Sequence, residues 1–176
     1  LDWLMEEGFS EQDLIGYRYP DAAEFEEAGL QIIYLGWFLG DWSLVNNGLY
    51  SCTYGLKKRD DKAVNTGDAY GLSCLDEDWV TLNQMIKYYK FGFGKTTDYV
   101  NEEIRMGRMT REEGIKIIES CDGMCSDEYI KSFCEYINIS ETTFWQHIHK
   151  NLNRDLFQID SNGNITPKFK IGVGLE

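Results

Sequence analysis

Three kinds of feature are missing from this sequence, and each absence excludes a class of protein. There is no run of about eighteen apolar residues, so we expect no membrane span, and no signal peptide is visible. Basic residues are scarce: 17 lysines and arginines stand against 30 aspartates and glutamates, which gives a net charge of −13 at pH 7. Because nucleic-acid binding needs an excess of cations along a whole face, this charge argues against a nucleic-acid partner.

Cysteine and histidine are too few and too irregularly placed to define a metal site. The five cysteines (52, 74, 121, 125 and 134) are odd in number and unevenly spaced, which is typical of reduced thiols in a cytoplasm. A zinc site built on the close pair Cys121 and Cys125 remains an alternative to buried or idle thiols. The only histidines, His147 and His149, lie two apart on a predicted helix and face different directions. We therefore predict no metal site, and the spacing indicates no Ser-His-Asp or Cys-His catalytic group.

The chemically most informative stretch is residues 87–113, which we call the basic segment. An aromatic–glycine turn, Phe91-Gly92-Phe93-Gly94, precedes Lys95-Thr96-Thr97-Asp98, which should open a helix. From 87 to 111 there are six basic and three acidic residues, a balance of +3 in an otherwise acidic chain. Glycines and cations at a helix start suit an anion of modest size. The alternative is a tight turn between helices with solvated cations, and spacing alone does not separate the two.

The triplet Gly94-Lys95-Thr96 is similar to the end of a Walker A nucleotide loop but does not complete it. That motif needs a glycine five residues before the Gly–Lys pair, and this chain has Tyr89 there. No hydrophobic strand leads into the triplet either. We therefore predict no P-loop.

Hydrophobic periodicity predicts a mainly α fold: a compact bundle of short helices, one isolated apolar strand and a small C-terminal hairpin. The strand is residues 31–39 (QIIYLGWFL), a β-branched and aromatic run typical of a buried parallel strand. No comparable run is present to pair with it, so we interpret it as the remnant of an α/β sheet whose other strands lie outside these residues. Asn162-Gly163 predicts the hairpin, and Pro167 restricts its second strand to an edge.

Helix-capping residues place most of the predicted helices. Ser43 should cap a helix to about Tyr54, and Thr110 with Glu113 fits a capping box for a helix ending at Cys121. Two further caps are predicted, for helices at 127–137 and 141–152. Other periodic segments predict helices at 79–89 and 98–106. Short links between four of these helices indicate a compact bundle.

The basic segment resembles the C-terminal region of N-acetyl sugar amidotransferases of surface-polysaccharide biosynthesis, the lipopolysaccharide and pseudaminic-acid type within the ATP pyrophosphatase (PP-loop) superfamily. The family pattern is roughly K-[FY]-G-[FY]-G-R-A-T-D, then I-R-x-G-x-[IM]-[ST]-R-E-E-A. This chain matches it at Lys90, Phe91, Gly92, Phe93, Gly94, Thr97, Asp98, Ile104, Arg105, Gly107, Met109, Thr110, Arg111, Glu112 and Glu113. It departs at Lys95, where Arg is usual, and at Thr96, where Ala is usual. A lysine keeps the charge but loses the bidentate fork.

A weaker resemblance extends upstream through 34–42 and downstream through 154–157 and 167–170. It implies that residues 1–56 are the C-terminal end of an α/β nucleotide-binding domain and that 79–174 form a helical C-terminal domain. Residues 57–78, which are polar and without period, should form a long surface loop between them. Residues 175–176 are a possible cloning scar. The family's Ser-Gly-Gly-x-Asp-Ser loop and N-terminal Cys-x-x-Cys pairs are absent, so we expect a piece of a longer protein.

The resemblance implies conversion of an acetamido group on a nucleotide-linked sugar to an acetamidino group in the cytoplasm. ATP, with Mg²⁺, would adenylate the amide oxygen, and ammonia from glutaminase and cyclase-like subunits would displace AMP. No cofactor is expected for these residues alone. The predicted substrate- or anion-binding residues are Lys90, Gly92, Gly94, Lys95, Thr97, Asp98, Arg105 and Arg111; catalytic residues are not assigned. The alternative is a non-catalytic helical module that docks a glutaminase or cyclase partner.

Overall fold

A computed structural model describes residues 1–175 of the chain and divides into two compact units. The first unit is Leu1–Gly40, and the second comprises the described residues from Asp41 onward. No helix within residues 1–175 is long and apolar enough to cross a membrane. The fold is mainly α with small two-stranded sheets, which confirms the predicted class.

The first unit contains three short helices and two 3-10 turns. The helices are α1 (Asp2–Glu6), α2 (Glu11–Leu14) and α3 (Ala22–Glu27), and the turns are Ile15–Tyr17 and Leu35–Phe38. Both α2 and α3 begin with a capping box in which the cap side chain and the third helical residue exchange hydrogen bonds. Leu14 is the one residue of this unit that is buried.

The predicted strand at residues 31–39 is not formed, and that prediction is wrong. Residues 31–34 carry no regular structure and Leu35–Phe38 is a 3-10 turn. The apolar side chains here are exposed: Ile32 to 75%, Trp37 to 87% and Phe38 to 78%. A strand is held by hydrogen bonds to a neighbouring strand, and none of residues 1–175 provides one here. An apolar run indicates burial but cannot supply the missing partner.

The second unit holds the remaining helices, and four of their starts agree with the predicted caps. The helices are α4 (Leu44–Thr53), α5 (Ala63–Thr66), α6 (Val80–Phe91), α7 (Lys95–Arg105), α8 (Arg111–Cys121), α9 (Asp127–Tyr136) and α10 (Glu141–Asn151). Ser43, Thr110, Ser126 and Ser140 each accept a hydrogen bond from a backbone N–H at the start of their helix. By contrast, α7 begins three residues before its predicted start at Asp98.

The predicted C-terminal hairpin is confirmed, and a second strand pair follows it. Strand β1 (Phe157–Ile159) pairs antiparallel with β2 (Ile165–Pro167). Strand β3 (Phe169–Lys170) pairs with β4 (Gly174–Leu175), which the sequence did not predict.

Two clusters of buried side chains hold the second unit together. The larger one joins α6, α9 and α10 through Leu82, Met85, Ile130, Cys134, Phe144 and Ile148. The smaller one joins Val45 of α4 and Tyr99 of α7 to Leu72, which lies in the segment predicted as a surface loop. That segment differs from the prediction: it contains α5 and also buries Thr66 and Asp68. The Asp68 carboxylate accepts the backbone N–H groups of Tyr70 and Gly71, so the backbone is satisfied without a helix or strand.

Candidate functional site

The aromatic–glycine turn leads into the N-terminus of α7, and that N-terminus already binds a carboxylate. Asp122, at the end of α8, accepts the backbone N–H of Gly94 at 2.8 Å and that of Thr96 at 3.0 Å. It also accepts the Thr97 hydroxyl at 2.6 Å, and it is 8% exposed. A helix N-terminus favours an anion because its first N–H groups have no partner within the helix. The anion at the start of α7 is thus a side chain of the same chain.

Two glycines allow this close approach of α8 to the turn. A Cβ on Gly94 would lie 2.7 Å from Asp122 Oδ1. Gly123, beside Asp122, has φ of +75°, and a Cβ there would lie 2.3 Å from the Tyr88 ring. Both positions therefore require glycine for steric reasons.

Thr96, one of the two departures from the family pattern, has a structural role. Its hydroxyl donates to the carbonyl of Gly67 at 2.9 Å and accepts the N–H of Ala69 at 3.0 Å. The residue is fully buried and also contacts Cys121 Sγ at 3.4 Å. The alanine that is usual at this position could make neither hydrogen bond, so Thr96 ties α7 to the segment 57–78.

A cleft of about 450 Å³ lies beside the turn, between α7, α8 and the β3–β4 pair. Its walls are mainly apolar and include Phe91, Phe93, Ile115 and Phe169. Arg111 is the only arginine among its lining residues, and its Nη2 donates to the carbonyl of Gly172 at 2.8 Å. We call this the Arg111 cleft; its volume suits a small-molecule ligand.

A second, more polar cavity of about 330 Å³ lies along α7 and carries charges of both signs. Its lining residues are Leu44, Lys95, Asp98, Tyr99, Asn101, Glu102 and Arg105. We call it the Lys95 groove. Lys95 Nζ lies 5.2 Å from the centroid of the Tyr99 ring, a cation–π distance. Asp98 accepts a hydrogen bond from Lys87 Nζ at 2.6 Å, so this carboxylate is already paired.

The structure distributes the eight predicted site residues over four places. Gly92, Thr97 and Arg111 line the Arg111 cleft, whereas Lys95, Asp98 and Arg105 line the Lys95 groove. Gly94 is bound to Asp122, and Lys90 is exposed outside both cavities, with its carbonyl accepting Asn153 Nδ2.

Lys95 thus shares a cavity with Arg105 but not with Arg111. Neither arginine forms an ion pair with an aspartate or glutamate within the described part of the chain. The predicted binding role of these residues stays a prediction.

The sequence did not indicate two groups that shape this region. One is Asp122, which lies 28 residues from Gly94 and is marked by no local pattern. The other is a buried network in which Ser43 Oγ donates to Glu103 Oε1 at 2.9 Å and Arg108 donates to both. The hydrogen bond from Arg108 holds the pKa of the Glu103 carboxyl below its ordinary value, and that from Ser43 adds to this effect. Arg108 therefore stabilises the contact between α4 and α7.

The thiols and histidines of residues 1–175 do not form a metal centre. Within residues 1–175, no three His, Cys, Asp or Glu side chains are placed to hold a metal ion. Cys121 is fully buried, and burial raises the pKa of its thiol, which disfavours the thiolate that a metal would need.

These features define a helical domain built around an aromatic–glycine turn, with a ligand-sized cleft beside it. The family model described as "LPS biosynthesis protein WbpG-like, C-terminal domain" matches residues 65–170. The match covers more than half of the chain, so the chain belongs to this family. This confirms the predicted resemblance to the C-terminal part of an LPS biosynthesis protein and supports involvement in that process. A comparison with curated proteins finds no match.

Proposed function

We propose that this chain is the C-terminal part of an ATP-dependent N-acetyl sugar amidotransferase of LPS biosynthesis. The observation that carries the proposal is the family match over 65–170, a range that contains the aromatic–glycine turn on the wall of the Arg111 cleft. The reaction replaces the oxygen of a sugar acetamido group by nitrogen. ATP activates that oxygen, ammonia adds to the carbon, and AMP and pyrophosphate are released.

The Arg111 cleft is the proposed place for the nucleotide-linked sugar. Phe91 and Phe93 offer partly exposed aromatic faces for a sugar or base, being 61% and 38% exposed. Arg111 and Lys170 supply positive charge at the same cavity, which suits the diphosphate of such a substrate. The Lys95 groove is the competing location, since Lys95 and Arg105 also offer cations there.

The start of α7 is an unfavourable place for ATP and Mg²⁺. The helix start that the sequence predicted to suit an anion is occupied by Asp122, whose negative charge would repel phosphate oxygens. We therefore assign no step of ATP cleavage to this chain and propose that ATP binds elsewhere in the full-length enzyme. Glutaminase and cyclase-like partners would supply ammonia, and a cytoplasmic location follows from the need for ATP and a nucleotide-linked sugar.

The test uses the full-length enzyme with ATP, an ammonium salt and nucleotide-linked N-acetyl sugars. We expect an amidine product by mass spectrometry, formed in step with AMP. A protein that consumes no ATP and leaves every such sugar unchanged, although it is folded, would overturn the proposal.

Two matched variants then locate the substrate. We expect Arg111→Met to raise KM for the sugar roughly tenfold, because it removes a charge-assisted contact to phosphate. Lys90→Met is the control, since Lys90 lies outside both cavities. If Lys95→Met raises KM for the sugar and Arg111→Met does not, the substrate binds in the Lys95 groove instead.

The second candidate function is a module that docks the ammonia-supplying partner. It is favoured by the exposed apolar segment 31–39. Turnover with two nitrogen sources, glutamine and ammonium, distinguishes the two candidate functions. If Trp37→Ser abolishes turnover with glutamine and the partner subunits but not turnover with ammonium, the segment docks the partner; if both persist, it does not.

A further inference from the structure

A separate pocket of about 400 Å³ lies where α6 and α10 meet the β1–β2 hairpin. It is lined by Tyr89, Trp145, His149, Gly163, Asn164 and Ile165, and it shares no lining residue with the Arg111 cleft or the Lys95 groove. We call it the Trp145 pocket. All of its residues lie within the range matched by the family model.

The aromatic rings of this pocket are held in place by the packing beneath them. Trp145 and His149 are one turn apart on α10, with ring centroids 6.4 Å apart. Trp145 packs edge-on against Phe144 at 5.5 Å, and Tyr89 packs edge-on against Phe157 at 5.8 Å. Both supporting phenylalanines are buried, so the rings of the pocket rest on the core and need little ordering when a ligand binds.

The opposite wall is the hairpin turn, and one carboxylate fixes it. Asp160 accepts the backbone N–H groups of Asn162 at 2.8 Å and Asn164 at 2.9 Å. It also accepts Asn164 Nδ2 at 2.9 Å, which orients the Asn164 amide. The side-chain carbonyl oxygen of Asn164 then has no hydrogen-bond partner within residues 1–175. The turn thus presents an oriented acceptor.

The lining residues combine aromatic faces with neutral hydrogen-bonding groups and include no Asp, Glu, Lys or Arg. The Trp145 indole N–H, the His149 ring nitrogens and the Tyr89 hydroxyl have no partner within the part of the chain that is described, and none of them is a buried unpaired atom. A pyranose ring has the matching surface, because its C–H groups form an apolar face and its hydroxyls surround it. A nucleotide would bring phosphate charges, and no lysine or arginine lines this pocket to neutralise them.

We propose that the Trp145 pocket binds an uncharged pyranose ring, with a sugar face against Trp145 and its hydroxyls bonded to His149 and Asn164. This site is independent of the amidine-forming reaction, and it would give the protein a second sugar contact.

The test is saturation-transfer NMR on the 176-residue chain with neutral methyl glycosides, including that of N-acetylglucosamine, and with uridine for comparison. We expect transfer from the protein to the ring C–H protons of at least one glycoside. Trp145→Ala should weaken binding of that glycoside roughly tenfold, since stacking of the sugar ring on an aromatic ring supplies much of the affinity of a small neutral ligand. Trp3→Ala is the matched control, because Trp3 is 65% exposed and lies in the other unit, and it should leave binding unchanged.

Three outcomes would overturn the proposal: no transfer to any glycoside, equal binding by wild type and Trp145→Ala, or transfer to uridine alone. If Trp145→Ala loses its helical circular dichroism, Asn164→Ala replaces it as the test. Asn164 is exposed on the turn, so its replacement should leave the fold intact and weaken binding severalfold. Unchanged affinity in a folded Asn164→Ala protein would then count against the site.

Discussion

At the scale of single residues, Asp122 accepts the backbone N–H groups at the start of α7, as a local capping residue does in the neighbouring helices. It satisfies donors of Gly94, Thr96 and Thr97 from the far end of α8, and it is nearly buried. Removing it leaves several buried donors without an acceptor, which costs more than losing a hydrogen bond at the surface.

We therefore expect Asp122→Ala to lower the free energy of unfolding by about 2–4 kcal/mol. Urea denaturation of the 176-residue chain measures this change. Asp155→Ala is the control, because Asp155 is exposed and its carboxylate accepts no hydrogen bond within residues 1–175. A loss no greater than that of the control would show that Asp122 does not stabilise α7.

Glu103 makes part of the stability depend on pH. Its pKa in the folded chain lies below the ordinary value of 4.5 because Arg108 and Ser43 donate hydrogen bonds to its ionised form. A lowered pKa contributes stability that is fully present above pH 4.5 and is lost as the pH falls through the folded value. We expect Glu103→Gln to be less stable than wild type at pH 7, with a difference that shrinks on acidification below pH 4.5. Urea titrations at several pH values measure it.

Glu7→Gln serves as the control and should show no such trend, because Glu7 is exposed and its side chain forms no ion pair or hydrogen bond within residues 1–175. A Glu103→Gln deficit that stays constant from pH 7 to pH 3 would contradict the assignment.

At the scale of elements, the helices that carry their own caps were predictable, and those fixed by distant contacts were not. The starts of α9 and α10 could be predicted from Ser126 and Ser140, because a serine hydroxyl can accept a hydrogen bond from the backbone N–H three residues later. The start of α7 depends on Asp122, which is distant in the sequence, so apolar periodicity alone placed that start three residues late, at Asp98. The strand prediction for residues 31–39 was wrong for a related reason. A strand forms only beside a neighbouring strand, and the residues 31–39 do not themselves show whether one is present.

The same dependence makes Gly94 a sensitive position. We expect Gly94→Ala to destabilise the chain by about 1–3 kcal/mol, since the added Cβ would lie 2.7 Å from Asp122 Oδ1 and force the two apart. Thermal unfolding checks this. Gly16→Ala provides the comparison, because nothing lies within 4 Å of a Cβ there and its φ is not positive. Equal melting temperatures for the two variants would show that the turn can open without loss.

At the scale of the whole molecule, the cations that cluster in the sequence are separated in space. Arg111 lines the cleft, Lys95 and Arg105 line the groove, and Arg108 is bound to Glu103. Neighbouring positions on a helix face different directions, so local charge balance predicted the presence of cations but not their convergence. The Trp145 pocket was missed because its walls come from three separate elements, one of which, α6, is far from the other two in the sequence.

We expect the 176-residue chain to release no pyrophosphate from ATP, even with ammonium and a nucleotide-linked N-acetyl sugar present. It contains no Ser-Gly-Gly-x-Asp-Ser loop, and the start of α7 is filled by Asp122. A coupled pyrophosphate assay measures this, with the full-length enzyme as the positive control. Release of pyrophosphate by the 176-residue chain would contradict this and show that the chain itself cleaves ATP.

The exposed segment 31–39 also bears on how the protein behaves at high concentration. Its nine residues carry no charge and no proline, and they are rich in β-branched and aromatic side chains. Its backbone forms no hydrogen bonds to a neighbouring strand within residues 1–175. Such a stretch can recruit copies of itself into an intermolecular cross-β stack. Acidic residues lie on both sides of it in the sequence (Glu26, Glu27 and Asp41), and their like charges on neighbouring copies oppose such stacking. Salt weakens that repulsion, so colloidal stability should fall as ionic strength rises.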